Sequence, residues 1–292
     1  MRKKITLCMV AILTMLLLLV GCGTKNTTGS SANTETSTEK TEEVTETKKD
    51  VFRVGMEAAY PPFNWTQIDD SNGGVTIDGS AEFAGGYDVE IAKKIAEGLG
   101  KELVVVKIEW DGLVPALTSG KIDAIIAGMS PTEERKKTID FSDSYYKSDL
   151  VMVVKKGGAY ENASTLADFS DAKITAQLNT FHYTVIDQIE GVNKMSAMDS
   201  FSAMRVALES GIIDGYVSER PEAVSSAAAN DNFTFVEFSD GFETSEEDTS
   251  IAVGLVKGSD LADKINEILS GISEEERIQI MDTAIANQPA AN

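Results

Sequence analysis

The sequence predicts an α/β protein of two lobes on a two-strand hinge, each lobe a mostly parallel sheet flanked by helices. Three observations carry that expectation. From residue 51 onward, short apolar runs of strand length alternate with amphipathic runs of helix length, the order that builds parallel strands with crossover helices. The folded part, about 240 residues, is longer than one hydrophobic core ordinarily serves, so it should divide. A strand-like run at 150–154 followed by Lys155-Lys156-Gly157-Gly158 marks a passage into a second lobe, and strand-like 250–256 marks the return. The expected division is 51–154 with 251–292 as one lobe and 155–250 as the other.

Residues 1–21 read as a secretory signal. MRKK supplies a positive start, and the apolar run 5–20 is too short to span a membrane comfortably and ends in Gly-Cys-Gly. Leu19-Val20-Gly21-Cys22 looks like a lipobox, in which cleavage before Cys22 frees a thiol to be diacylated. Each buried CH₂ contributes about 0.8 kcal/mol, so two chains anchor stably. The other cysteine, Cys8, lies in the signal, which leaves no pair for a disulfide, so core burial must hold the domain together. Residues 22–50 hold Cys22 and a Ser/Thr/Glu/Lys-rich stretch that cannot repay the entropy of folding. As a disordered tether it would set the domain on the order of 30 Å from the membrane. The expected location is the extracytoplasmic face of the cell membrane, and the tether suits a Gram-positive surface.

The chain has 47 acidic and 26 basic residues, a formal net charge of −21, and losing Arg2, Lys3 and Lys4 with the signal would make it more acidic. That balance argues against nucleic acid or anionic lipid headgroups as partners. It favours cationic solutes only mildly, since salt screens charges beyond about 8–10 Å.

In order along the chain, 51–56 reads as a first strand. Asp88 reads as the N-cap of a helix with Ile91, Ile95 and Leu99 on one face, closed by Gly100. A strand at 102–108 follows, then a helix capped by Asp111 and ending at Gly120, with Pro115 in its first turn, where a missing N–H costs little. Residues 122–127, apolar between two glycines, fit a strand buried on both faces. The second lobe reads as a strand at 173–177, a helix after Thr180, a helix at 199–210 and a strand at 214–218. Helices near 261–269 and 274–286 close the chain.

Ligands sit beyond the carboxyl ends of parallel strands. Past the strand at 122–127 come Gly128, Met129 and Ser130, then Thr132 as N-cap of a helix whose first turn carries Glu133, Glu134 and Arg135. A guanidinium held there can grip a carboxylate with two charge-assisted hydrogen bonds. The alternative is that Arg135 belongs to a solvated ERKK face, paired with a glutamate.

The run GMSPTEERKKTIDFSDSYY resembles the GMTxTxERxxxxxFSxPYY signature of the family 3 extracellular solute-binding proteins, which capture amino acids for ABC importers. EAAYPPFNW, GGYDVEIAKKIAEGLG, EWDGLVPALTSGKIDAI, the QLNT turn and IDGYVSERPEA stand in the family's order and spacing, covering nearly all of 51–287. The resemblance implies a type 2 periplasmic-binding-protein fold, a free amino acid as ligand, ABC permease subunits as partners, a monomer, and no cofactor or metal. It implies that Arg135 binds the α-carboxylate, with Gly128, Met129 and Ser130 beside it and Thr180 completing that site from the second lobe. Glu219 stands where most of the family has an aspartate receiving the α-ammonium; its alternative is a surface ion pair with Arg220. Tyr60 and Trp110, backed by Phe63, match aromatic walls of the side-chain pocket, or are ordinary core. Glu57 follows the first strand, where relatives that take basic or amide side chains place an aspartate, and so favours arginine, lysine or ornithine, then a polar amide; its alternative is a loop carboxylate facing water. His182, the only histidine, lies two residues past Thr180 and could line the cleft or cap the helix there, with a peripheral role the favoured expectation. An enzyme on the same fold, such as a cyclohexadienyl dehydratase, or a ligand sensor for a signalling partner, stay open as other readings, although no nucleophile–base pair or metal-ligand cluster stands out in the sequence.

Overall fold

The computed structural model describes residues 50–289. The expected signal, Cys22 and the expected tether up to residue 49 lie outside the described residues. The chain forms β1 (Val51–Met56), four short strands β2 (Ala59–Tyr60), β3 (Asn64–Gln67), β4 (Val75–Thr76) and β5 (Phe83–Gly85), then α1 (Tyr87–Gly98) and β6 (Glu102–Lys107). Next come α2 (Leu113–Thr118), β7 (Ala124–Ile125), α3 (Glu133–Lys136), β8 (Ile139–Lys147) and β9 (Leu150–Lys155). After these follow β10 (Lys173–Thr175), α4 (Phe181–Val185), β11 (Asn193–Lys194), α5 (Phe201–Ser210), β12 (Gly215–Glu219), α6 (Arg220–Ala229) and β13 (Phe233–Val236). β14 (Ser250–Val256), α7 (Leu261–Ser270) and α8 (Glu274–Asn287) end the described chain.

Two five-stranded sheets result, ordered β6-β1-β7-β14-β8 and β11-β10-β12-β9-β13. In the first, β1 runs parallel to β6 and β7, and only β14 is reversed, antiparallel to both its neighbours. In the second, β10 runs parallel to β11 and β12, and only β9 is reversed. The reversed strand in each sheet is the one that enters from the other lobe, so the hinge direction sets the sheet pattern. Ser148 N–H donates to the Thr249 carbonyl at 3.0 Å, tying the two crossings together. Because β9 pairs wholly within the second sheet, the first crossing lies at Ser148–Asp149 rather than at 154/155 as expected. On the far side, Gln288, just past α8, bonds with Ser225 of α6.

The buried core follows the apolar pattern. Ile91 and Ile95 of α1 are fully buried against the first sheet, and Val151 to Val154 of β9 are buried on both faces. Along 122–127 five residues are buried, yet only Ala124–Ile125 meets both neighbouring strands, so β7 is shorter than its apolar run. A four-stranded antiparallel sheet of β2, β3, β5 and β4 was not expected, because its strands are two to four residues long, too short to show a period.

Two expected helix caps are corrected. Gly86 takes the N-cap position of α1 at φ 120°, where a Cβ would lie 2.4 Å from the Phe63 carbonyl oxygen, so only glycine fits. Helix α1 therefore starts before Asp88, whose side chain turns inward. It is fully buried and accepts from the Tyr145 hydroxyl at 2.7 Å and the Asn64 amide at 2.8 Å. Asp111 lies in the 3₁₀ turn Trp110–Gly112 and caps nothing; its carboxylate accepts from the Asn179 side chain of the second lobe at 2.8 Å. Asp88→Ala would leave the Tyr145 hydroxyl and the Asn64 amide buried without partners. At about 1–3 kcal/mol for each orphaned group, thermal unfolding should move down by roughly 4–24 °C in a domain of this size. Asp88→Asn, which keeps the shape and some of the bonding, should move it less.

Candidate functional site

Five strand ends deliver site residues. Glu57 follows β1, Trp110 follows β6, Gly128 to Ser130 follow β7, Gln177 to His182 follow β10, and Glu219 is the last residue of β12. This is the crevice at the carboxyl ends of parallel strands where ligands collect. A narrow cavity of about 10 Å³, room for about one water, is lined by Tyr60, Trp110, Gly128, Ser130, Arg135 and Thr180, with Glu219, Gln177, Phe181, His182 and Phe201. A wider mouth of about 660 Å³ opens beside it along Trp110, Met129, Arg135 and Phe181. The inner space is thus far smaller than the mouth beside it.

The positive end is Arg135. Thr132 caps its short helix, accepting from the Arg135 backbone N–H at 3.4 Å. The guanidinium lies 5.0 Å above the Trp110 ring, donating from Nη1 to the Ser130 carbonyl at 2.9 Å and from Nη2 to the Asn179 carbonyl at 3.2 Å. Burial lowers its pKa to about 10, with Glu219 and Asp248 pulling the other way, so it remains a cation at neutral pH. It is not paired with a carboxylate of the ERKK face; Lys136 and Lys137 take those partners. Asn179 sits at φ 58°, a left-handed conformation that asparagine tolerates, and this turns its carbonyl towards Arg135 and its amide towards Asp111.

The negative end is Glu219, 3 % exposed. Arg220 pairs with Glu237 instead, which removes the surface alternative for Glu219. One oxygen of Glu219 accepts from the Tyr60 hydroxyl across the cleft, and the other lies 3.0 Å from His182 Nε2. Burial opposes the charge, but the attraction of nearby His182 and the bond from Tyr60 outweigh it and hold the carboxyl below its ordinary value. Burial, then the Glu219 charge, keeps the Tyr60 phenol well above its own, so it stays a donor. His182 is thus not peripheral as expected: it is 5 % exposed and faces the cavity.

Tyr60 stacks on Phe63 at 5.0 Å and, across the cleft, on Phe201 at 4.3 Å, an apolar slot between the lobes. Glu57 is buried rather than facing water, and Gln177 of the second lobe donates to its two oxygens at 3.2 and 3.4 Å. Burial pushes the Glu57 carboxyl up to about 7, against the bond from Gln177, and the charges of Glu109 and Asp111 add to the rise. Gly128 sits at φ 63° under Tyr60, where a Cβ would lie 2.8 Å from its ring. Its N–H donates to the Tyr145 hydroxyl at 3.4 Å, which joins the cleft floor to buried Asp88.

Two expected contacts differ in detail. Met129 turns its side chain into the core, gives its carbonyl to Ala252 N–H, and reaches only the mouth. Thr180 lines the cavity, but its hydroxyl donates to the Gln177 carbonyl, and the helix after it is a five-residue turn. Sequence reasoning missed Gln177, Phe181 and Phe201. Gln177 lay within the QLNT segment just past a strand end, a signal that was available. Phe201 opens a helix like any core phenylalanine and gave none.

The model of the bacterial extracellular solute-binding proteins, family 3, matches residues 52–284. The chain belongs to this family. Its family-3 span contains every site residue named above. Over 98 % of both chains it is 31 % identical to a probable histidine-binding protein of Campylobacter jejuni. It is 27 % identical to the arginine-binding extracellular protein ArtP of Bacillus subtilis, over 96 % of each. Among solved structures, the amino acid ABC transporter substrate-binding protein AbpA of Streptococcus pneumoniae, bound to L-arginine, superposes with a TM-score of 0.69 at 26 % identity, covering 80 % of this chain and 94 % of that one. This family-3 chain shares their two-lobed α/β fold.

Proposed function

We propose that this protein is the lipid-anchored receptor of an ABC importer on the outer face of the cell membrane, capturing a free amino acid with a preference for cationic side chains and then polar amides. The observation that carries the reading is a pair of opposite charges brought into one buried cleft from opposite lobes, Arg135 from the first and Glu219 from the second. A zwitterion answers both. Its carboxylate replaces the Asn179 carbonyl at Arg135, and its ammonium replaces the Tyr60 hydroxyl at Glu219. Its side chain runs along Tyr60 and Phe201 towards Glu57. A ligand lacking either charge leaves the opposite anchor buried and unpaired, at a cost of several kcal/mol.

The lobes divide at the paired crossings near Ser148 and Thr249, and ligand shifts them to the closed form that docks on the permease. Moving a population from 1:99 to 99:1 takes about 5.5 kcal/mol of differential affinity, within reach of two charge clamps. Similar chains are a probable histidine-binding protein and an arginine-binding protein, in keeping with a site that accepts a cationic or ring-bearing side chain.

The test is calorimetric titration of the full chain in detergent, stripped of carried-over ligand by unfolding and refolding, against the twenty amino acids, ornithine and citrulline. Tight binding of arginine, lysine or ornithine supports the proposal whole. Tight binding of another amino acid keeps the receptor and removes the cationic preference. Binding of none overturns the receptor reading and brings a different ligand class or an enzymatic role forward.

A further inference from the structure

Glu219 needs a device to hold it. Its side chain has several torsions to fix, and its bond from Tyr60 crosses between lobes, so that bond is lost whenever the cleft opens. His182 is the neighbour that stays. It belongs to the same lobe as Glu219, α4 packs directly on β12, and Nε2 stands 3.0 Å from Glu219 Oε1. The ring is 5 % exposed, rests against Phe181 at 4.3 Å between centroids, and faces the cavity with neither nitrogen in a well-aligned hydrogen bond. A histidine serving only as packing would bury that polar edge at a cost. Beside a carboxylate, a small turn of the ring makes the approach a charge-assisted bond.

We propose that His182 is a positioning residue for ligand recognition: it fixes the Glu219 carboxylate, in the open and the closed forms alike, with Oε2 turned to the cleft, and thereby sets how strictly the site demands an ammonium group. This rests on the amino acid receptor reading and refines it. His182 secures Oε1, and the ligand ammonium exchanges with Tyr60 at Oε2. The ligand then meets a carboxylate already oriented and does not bear the entropy of ordering it.

The test uses two probe pairs that differ only in the ammonium group: L-arginine with 5-guanidinopentanoate, and L-glutamine with 4-carbamoylbutanoate. Each is titrated by calorimetry into the full chain in detergent and into His182→Ala and His182→Gln, with thermal melting to show that the variants are folded. In His182→Ala, affinity for the amino acid that binds should fall roughly 10- to 100-fold, the worth of a hydrogen bond to a charged group, while its des-amino partner changes little. His182→Gln, whose amide N–H can reach the same oxygen, should recover most of the loss. Because His182 is the only histidine, its ring NMR signals report on this site alone, and they should move when the amino acid is added. Unchanged affinity in His182→Ala, an equal loss for both members of a pair, or a ring signal that ignores ligand would each overturn the proposal while leaving the receptor intact. If the wild-type chain binds neither arginine nor glutamine, the same comparison is made with the amino acid of the panel that does bind and its des-amino analogue; a chain that binds no amino acid overturns the receptor reading and this inference with it.

Discussion

Arg135→Ala should abolish useful amino acid binding. Truncating one member of a buried, hydrogen-bonded charge pair costs about 2–5 kcal/mol, which is roughly a 30- to 5,000-fold rise in Kd. The upper half of that range is expected, because no other arginine and no lysine lines the cavity, and its one histidine, His182, is already set against Glu219. Arg135→Lys separates charge from shape. A lysine restores the positive charge but not the flat fork that bonds the Ser130 and Asn179 carbonyls and stacks on Trp110, so it should recover only part of the loss. Calorimetry with the best wild-type ligand reads both variants. Near-wild-type affinity in Arg135→Ala would show that the carboxylate binds elsewhere.

Glu57→Gln should remove the preference for a cationic side chain and the pH dependence that accompanies it. In wild type the Glu57 carboxyl, raised by burial to about 7, must lose its proton to pair with a guanidinium or ammonium. The affinity for arginine should therefore fall as pH drops below about 7, by at most about tenfold per unit for one linked proton, and binding at pH 6 should release protons to the buffer. In Glu57→Gln both effects should vanish, with glutamine gaining on arginine. A pH slope that survives in the variant would assign the proton to another group.

Stability runs with the opposite sign. Free Glu57 keeps its proton up to about 7 in the fold but only to about 4.5 when unfolded, so its contribution is full at acid pH and is lost as pH rises through that window. Asp88, raised by burial to about 6 against the bonds from Tyr145 and Asn64, acts in the same direction. Stability and affinity thus favour opposite ends of the same pH range.

The large elements were legible from periodicity; β14 lies where its apolar run puts it, because a strand buried on both faces leaves an unbroken signal, and β1 does so although exposed Arg53 interrupts its run. Asp88 and Asp111 show why caps were less certain. An aspartate before an apolar run looks the same whether it caps the helix or turns inward, and only Gly86 and Asn179, distant or backbone-level partners, decide between the two. Within the site, residues whose chemistry is local, such as Arg135 after a strand and a capped turn, could be read directly. The pairings that define the cleft could not: Glu57 meets Gln177 across 120 residues and Tyr60 meets Glu219 across 159. His182 reads ambiguously for the same reason, since nothing near it in the sequence announces Glu219.

The place of β14 also governs the order in which the protein can be made. The second sheet draws all its strands from one unbroken stretch, Leu150 to Val236, and can assemble as soon as that stretch has emerged. The first sheet cannot. β7 and β8 are joined only through β14, which follows the whole second lobe, so two strand edges wait open while about a hundred further residues appear. The lobe that begins the chain is the last to finish, and a chain halted before Ser250 would carry a complete second lobe and a split first one.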